Sequence, residues 1–381
     1  MKIAAQWLTS APVQQVLGML SGAGYRGFLV GGCVRNALLG RPVADIDIAT
    51  DALPETVIAL AGAAGLKSVP TGIEHGTVTV IAGGEPHEVT TFRRDTHTDG
   101  RHATVAFTID IAEDAARRDF TMNALYAAAD GTVLDPVGTG LADLAAGRLR
   151  FVGEPERRIR EDYLRILRFF RFSALYGDPG LGLDAGGLAA CAALADGIDG
   201  LSRERIGHEM RRLLDAPDPA PAVAAMRASG VLAHVLPGAD DRSLPVLVHL
   251  EDGRAPDWLC RLAVLGGEDA ADALRLSRAE ARDLARLRQA ALEGGDPAVL
   301  GYRLGARIGA AAVLAHAALS EMAPPAGWAG AVAFGARQRF PLRAADLPEG
   351  VVGPEIGRRL RALEERWIAS GFRAGRDDLL G

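Results

Sequence analysis

Hydrophobic residues change their spacing several times over the first 145 positions. Residues 1–24 carry a helical period. From position 25 the period shortens. Segments 25–30, 46–50, 77–81 and 88–92 predict short strands, and 37–39 and 54–64 predict helical stretches. A last short strand over 132–134 runs into the turn-rich DPVGTG at 135–140. These segments predict a mixed sheet-and-helix unit ending near residue 145. Beyond Gly153 the strand signals stop. Residues 156–176 read as one long helix with arginines and aromatics interleaved. Helices follow over 185–195, 202–214, 219–229 and 279–292, and the second half is all helical with no internal repeat. Gly/Pro clusters near 178–187, 215–221, 236–245 and 323–330 read as loops, the last two as candidate sub-domain junctions. The fold class expected is α+β.

A chain of 381 residues predicts two or three packed units, and an apolar fraction of 49% supplies a large core. The formal charge of -6 means that any nucleic-acid partner is held by local basic surface, against the global repulsion. Those basic residues are nearly all Arg; the lysines are Lys2 and Lys67. Cys33, Cys191 and Cys260 are far apart and lack metal spacing, which argues against a disulfide framework and for a reducing compartment. Residues 1–20 lack signal-peptide features, and no apolar run approaches the roughly 18 residues of a membrane span. The expectation is a soluble, cytoplasmic protein.

The densest chemistry lies between Phe28 and Thr50. On a strand, residues two apart face one side, so Asp45-Ile46-Asp47 would aim two carboxylates one way and Ile46 into the core. Such a pair can hold two divalent ions about 4 Å apart for in-line phosphoryl or nucleotidyl transfer. Standing alone, an acid pair of this spacing is usually two solvated residues on an edge strand. Gly31-Gly32 upstream changes that reading, because a Gly-Gly turn lets backbone N–H groups approach a phosphate, and Arg35 adds charge at the next helix start. No Walker loop or dinucleotide fingerprint is present. Glu88 opens a strand and is either a third carboxylate for the site or merely exposed. Arg93 closes that strand within reach of a phosphate. In RRDFTMNAL, Asp119 reads as a helix N-cap, with Arg118 and Asn123 as candidates for triphosphate and sugar recognition. Asp135, Gly138, Gly140 and Asp143 read as architectural.

In REDYLRILRFFRF, Asp162, Arg165, Arg168 and Arg171 recur at three-residue spacing, which makes them neighbours on one helix. Residues 148–171 carry eight Arg against four acids. The plain alternative is an exposed, salt-bridged helix. The chemistry suggests more: cytosine and adenine both present an amino donor beside a ring-nitrogen acceptor, which an Asp acceptor beside an Arg donor complements. Uracil and guanine invert that edge, and mispaired buried groups are costly.

VGGCVRNALLG, DIDIA, EVTTFR, RRDFTMNAL, DPVGTGLADL and REDYLRILRFFRF occur in this order. Together they resemble the successive motifs of class II tRNA nucleotidyltransferases, the CCA-adding enzymes, and the related bacterial poly(A) polymerases. The likeness covers about residues 25–212, and the tail from FPLRAADLPEG onward is similar to the bacterial C-terminal region of the family. The resemblance implies a polymerase beta-like nucleotidyltransferase head over 1–145, a helical neck with the base-recognition helix over 146–215, and a tRNA-binding body and tail over 216–381. It implies Mg²⁺-dependent addition of CCA to tRNA from CTP and ATP, without a template or an obligate protein partner. Carried over by position, Gly32 and Arg35 contact the nucleotide, Asp45 and Asp47 hold the metals, and Arg118, Asp162, Arg165, Arg168 and Arg171 line the nucleotide pocket. The residues themselves add Gly31, Arg93 and Asn123 as nucleotide-binding candidates and Glu88 as a catalytic candidate. Two departures are visible: the HD dipeptide of an appended phosphohydrolase domain is absent, and Asn36 stands where many relatives carry Asp. The alternatives are poly(A) polymerase, disfavoured by the acidic charge and by TGIEHGTVTVI in place of a basic strand, and a CC-adding enzyme. Residues 94–104 match the flexible loop that CC-adding relatives lack.

Overall fold

The structure is a computed structural model and describes residues 1–98, 103–348 and 351–381. The chain divides into two compact units, Met1–Pro237 and Gly238–Gly381. The division falls inside the Gly/Pro cluster at 236–245; none falls at 323–330.

The first unit is built on nine strands. They are β1 Gly27–Val30, β2 Asp47–Thr50, β3 Lys67–Gly72, β4 Thr77–Ala82, β5 Glu85–Thr91, β6 Arg93–Thr98, β7 Ala103–Phe107, β8 Tyr126–Ala127 and β9 Val133–Leu134. Seven form one sheet in the order β3-β4-β5-β2-β1-β8-β9, while β6 and β7 pair as a separate hairpin. Every pairing in the large sheet is antiparallel except β2 with β5. Strict alternation makes β4 and β5 legible: Val78, Val80 and Ala82, then His87, Val89 and Thr91, turn inward. β3 carries no such signal: it is an edge strand, mostly exposed and interrupted by Pro70, with no apolar alternation.

The expected helix over 1–24 is shorter, Ala11–Gly22, with Val13, Val16, Leu17 and Leu20 as its buried stripe. Residues before it lie along β9: the Ile3 N–H donates to the Gly131 carbonyl and the Val133 N–H to the Met1 carbonyl. Helix Gly32–Leu38 starts earlier than the pattern predicts, and helix Pro54–Ala63 matches it. Helix Ile111–Ala116, capped by Asp110, carried too short a pattern to be read.

The long helix expected over 156–176 is two, Pro155–Glu161 and Leu164–Tyr176. Asp162 between them is extended (φ -156°, ψ 107°) and accepts the Leu164 N–H at 3.1 Å. Tyr163 packs so closely on Gly197 that a Cβ there would lie 1.9 Å from its ring. The second helix is seated by aromatic packing: Phe120 lies 5.0 Å from Phe151 and 5.3 Å from Phe172, and Phe151 stacks on Phe169 at 5.5 Å. Helix Arg203–Leu214 packs alongside it, and helices Ala220–Ala228 and Val231–Val235 complete the unit.

The second unit is helical, with no strand among its described residues. Its buried features are an Arg261–Glu251 ion pair and a cluster of Tyr302, Phe340, Trp367 and Phe372. Among the described residues no helix is long and apolar enough to cross a membrane.

Candidate active site

The parallel pairing of β2 with β5 sets Asp47 in register with Glu88. Paired residues of adjacent strands present their side chains on the same sheet face, so these two carboxylates are neighbours although 41 positions separate them in the chain. Glu88 sits in the middle of its strand, not at its start. The strand holding the acid pair begins only at Asp47, so Asp45 and Ile46 belong to the approach. Ile46 is half-buried and, instead of entering the core, lines an opening of about 510 Å³ with Asp45, Asp47, Thr79, His87 and Glu88. Burial pushes the Asp47 carboxyl above its usual range, Glu88 and Asp45 add to that rise, and Arg118 opposes it.

The carboxylates at this opening are oxygen donors, with Glu88 and Asp45 raising the proton affinity of Asp47, a set suited to a hard divalent cation. Among the described residues no group of three or more His, Cys, Asp or Glu forms a ready cage. Two aspartates with an open side fit an ion whose remaining ligands are substrate phosphate oxygens and water. Asp45 and Asp47 are the residues that would hold it.

Beside the pair, Gly31 enters helix Gly32–Leu38 at φ +71°, and a Cβ there would sit 3.5 Å from Arg118 Nη1 and 3.6 Å from the Asn123 carbonyl. Arg35 is not free at the helix start. It is buried, donates to Asn123 Oδ1, to Asn36 Oδ1 at 2.9 Å and to the Tyr176 hydroxyl at 2.8 Å, and lies over the Tyr176 ring at 4.0 Å. Asn36, the departure noted above, is held in turn by the Pro42 carbonyl at 2.8 Å.

Asp119 caps no helix. The short 3₁₀ turn Thr121–Asn123 follows Phe120, and Asp119 serves tertiary contacts instead. Its Oδ1 accepts the Asn123 side-chain N–H at 3.0 Å and its Oδ2 accepts Arg168 Nε at 2.8 Å. Burial acts to raise its pKa, but Arg168 and Asn123 outweigh it and bring it down to about 2. One continuous chain of contacts thus joins Arg35, Asn123, Asp119 and Arg168.

Arg118 is fixed by residues the motif reading missed. Its Nη2 donates to Asp114 at 3.0 Å and its Nε to the Tyr126 hydroxyl at 3.0 Å. The available signal was the four-residue spacing of Asp114 and Arg118. Asp143 is architectural as expected, accepting the Thr121 hydroxyl at 2.7 Å and the Nε and Nη2 edge of Arg150 at 3.0 and 2.7 Å.

The expected row Asp162, Arg165, Arg168, Arg171 is dispersed. Asp162 precedes the helix and pairs with Arg205 at 2.7 Å. Arg165 donates to Glu161 at 2.6 Å and to the Arg158 and Arg117 carbonyls. Arg171 has 2% of its side chain exposed and is ion-paired with the equally buried Glu209. Arg205 and Glu209, four apart on helix Arg203–Leu214, were legible only as an amphipathic pattern. Arg93 opens β6 and directs its guanidinium to the His75 carbonyl. The structure therefore gathers Asp45, Asp47 and Glu88 in one group and Gly31, Arg35, Arg118, Asn123 and Arg168 in a second beside it. It buries Arg171 and directs Arg93 toward His75. Of the expected flexible loop at 94–104, residues 99–102 lie outside the described residues.

Residues 27–150 match the family described as Poly A polymerase head domain, and residues 181–242 the one described as Probable RNA and SrmB- binding site of polymerase A. A CCA-adding enzyme of Geobacillus thermodenitrificans is 41% identical over 236 residues, 61% of this chain and 56% of that protein. Mouse mitochondrial CCA tRNA nucleotidyltransferase 1 is 40% identical over 225 residues, 59% of this chain and 50% of that protein. The matched stretch thus spans about half the length of these curated relatives. The crystal structure of the Bacillus stearothermophilus CCA-adding enzyme in complex with CTP superposes with a TM-score of 0.77 and 29% identity, covering 95% of this chain and 94% of that one. Residues 27–150 thus carry a Poly A polymerase head domain, and the chain as a whole is similar in fold to a CCA-adding enzyme.

Proposed function

We propose that this protein adds cytidine, cytidine and adenosine in turn to the 3′ end of tRNA, consuming CTP and ATP and releasing pyrophosphate. The observation that carries the reading is the in-register Asp47–Glu88 pair with Asp45 at one opening, within electrostatic reach of Arg118. Sequence likeness to relatives named CCA-adding enzymes supports the choice of substrate. Asp45 and Asp47 would hold Mg²⁺, which would supply Lewis-acid activation of the terminal ribose hydroxyl and charge neutralisation of the departing pyrophosphate.

The chain's own groups do the rest. Gly31 leaves room for a phosphate in front of Arg118, whose guanidinium opposes its negative charge. Asn123, held between Arg35 and Asp119, presents a fixed amide for the sugar. Asp162 and Arg165 offer the acceptor and donor that complement the shared edge of cytosine and adenine, exchanging their contacts with Arg205 and Glu161 for the base. Residues 1–145 act as the catalytic head, 146–215 as the neck that reads the base, and 216–381 as the body and tail that hold tRNA. Burial of all the cysteines as free thiols supports a cytoplasmic location.

The test is incubation with tRNA lacking its 3′ end and each labelled nucleotide, followed by sequencing of the products. Addition of CCA is expected. Long A tracts would establish a poly(A) polymerase, and products stopping at CC a CC-adding enzyme. Asp47→Asn should abolish every addition while tRNA binding, read by filter retention, persists. Normal turnover by that variant with Mg²⁺ would remove Asp47 from the metal site.

A further inference from the structure

Asp114 lies outside every motif singled out in the sequence, yet it is the most heavily engaged carboxylate of the head. Its side chain is 1% exposed. Oδ1 accepts both Arg117 Nε at 3.0 Å and Nη2 at 2.8 Å, together with the Arg93 backbone N–H at 3.3 Å. Oδ2 accepts Arg118 Nη2 at 3.0 Å and the Tyr126 hydroxyl at 2.6 Å. The same Tyr126 oxygen accepts Arg118 Nε at 3.0 Å. One edge of the Arg118 guanidinium, Nε and Nη2, is therefore consumed by a buried acid and a buried phenol. Its remaining nitrogen, Nη1, is the atom that a Cβ at Gly31 would meet at 3.5 Å. A guanidinium is a rigid planar fork, so fixing one edge aims the other.

We propose that Asp114, with Tyr126, is a positioning residue that orients Arg118 so that Nη1 faces the Gly31 turn and takes the nucleotide's phosphates. This rests on the reading of the site as a nucleoside triphosphate site. Asp114 touches no substrate atom in this scheme. Its carboxylate also holds the Arg93 N–H, so the start of β6 and the phosphate-facing arginine share one anchor. An aligned charged donor differs from a misaligned one mainly for ligands that carry the phosphates, which separates this role from a general structural one.

The experiment measures calorimetric binding of CTP, CMP and cytidine by the full chain, with CTP KM and kcat for addition to tRNA. Asp114→Asn keeps the shape but sets an amide N–H against a guanidinium. It should weaken CTP binding on the order of tenfold and raise CTP KM, with CMP affected less than CTP and cytidine less than about twofold. In an Arg118→Lys background Asp114→Asn should add almost nothing, because both changes act through one group. Tyr126→Phe removes one tether without burying a new polar group, so it decides the matter if Asp114→Asn does not fold; a triphosphate-selective loss of several-fold is expected. Equal losses for CTP, CMP and cytidine, or full additivity with Arg118→Lys, would overturn the proposal. A parent protein that binds none of the three would instead overturn the nucleotide reading itself.

Discussion

Glu209→Ala isolates what the buried ion pair contributes to the packing of helix Arg203–Leu214 on helix Leu164–Tyr176. Arg171 has 2% and Glu209 4% of its side chain exposed, so neither charge has water to fall back on. Glu209 Oε1 also accepts Arg171 Nη2 at 3.3 Å and lies 3.9 Å from Arg168 Nη1. Removing the carboxylate strands a guanidinium in the core, a change that costs about 3–5 kcal/mol. Against a total stability of about 5–15 kcal/mol that is a large fraction. For a unit the size of Met1–Pro237, each kcal/mol lowers Tm by about 2–4 °C, so the expected fall is roughly 6–20 °C. Replacing both partners, Glu209→Leu with Arg171→Met, removes the desolvated charges together and should restore stability to within about 1–2 kcal/mol of the parent. Urea unfolding followed by far-UV circular dichroism, together with calorimetry, measures all three proteins. A single variant within about 1 kcal/mol of the parent would show that the pair is not the buried constraint described. A double variant as unstable as the single one would show that packing, not charge, was lost.

Asp162→Ala should relax rejection of UTP relative to CTP in single-nucleotide addition to tRNA; unchanged discrimination would remove Asp162 from base reading. Asp114 and Asp119 both titrate at about 2 in the folded protein, because paired arginines outweigh the opposing effect of burial. The unfolded chain binds their protons first, so this stability is complete above about pH 4 and is lost as pH falls from there toward 2. Asp119→Asn should flatten that acid limb in urea midpoints taken between pH 2 and 7, and an unchanged slope would contradict the assignment. Gly31→Ala forces a side chain to φ +71° beside Arg118 at a stability cost of about 1–2 kcal/mol. Its CTP KM should rise at temperatures where the variant is fully folded, and an unaltered KM would separate the turn from the phosphates.

Legibility followed distance along the chain. The Gly31-Gly32 turn, the Asp45/Asp47 pair and the aromatic spacing from Phe169 to Phe172 are local patterns, and residue types at short spacing carry their chemistry with them. They sufficed for the fold class, the order of a mixed sheet unit before helices, and the resemblance to CCA-adding enzymes. The boundary near 236–245 was equally local, a matter of Gly and Pro. Asp162 shows where local reading fails: three-residue spacing suggests one helix, but Asp162 is extended with its side chain accepting the Leu164 N–H, and Tyr163 fits against Gly197.

Tertiary structure alone decided which charges meet. Glu88 becomes Asp47's neighbour because two strands pair in parallel, a register no single segment encodes. Arg171 leaves the expected row because a carboxylate 38 positions later is buried against it. Arg118 is aimed by a phenol on β8 and an acid on a six-residue helix. A charged side chain advertises its chemistry in the sequence, but its partner is chosen by whichever segments the core brings together. Burial then turns that choice into energy, because an ion without water is held in place by whatever opposite charge the fold supplies.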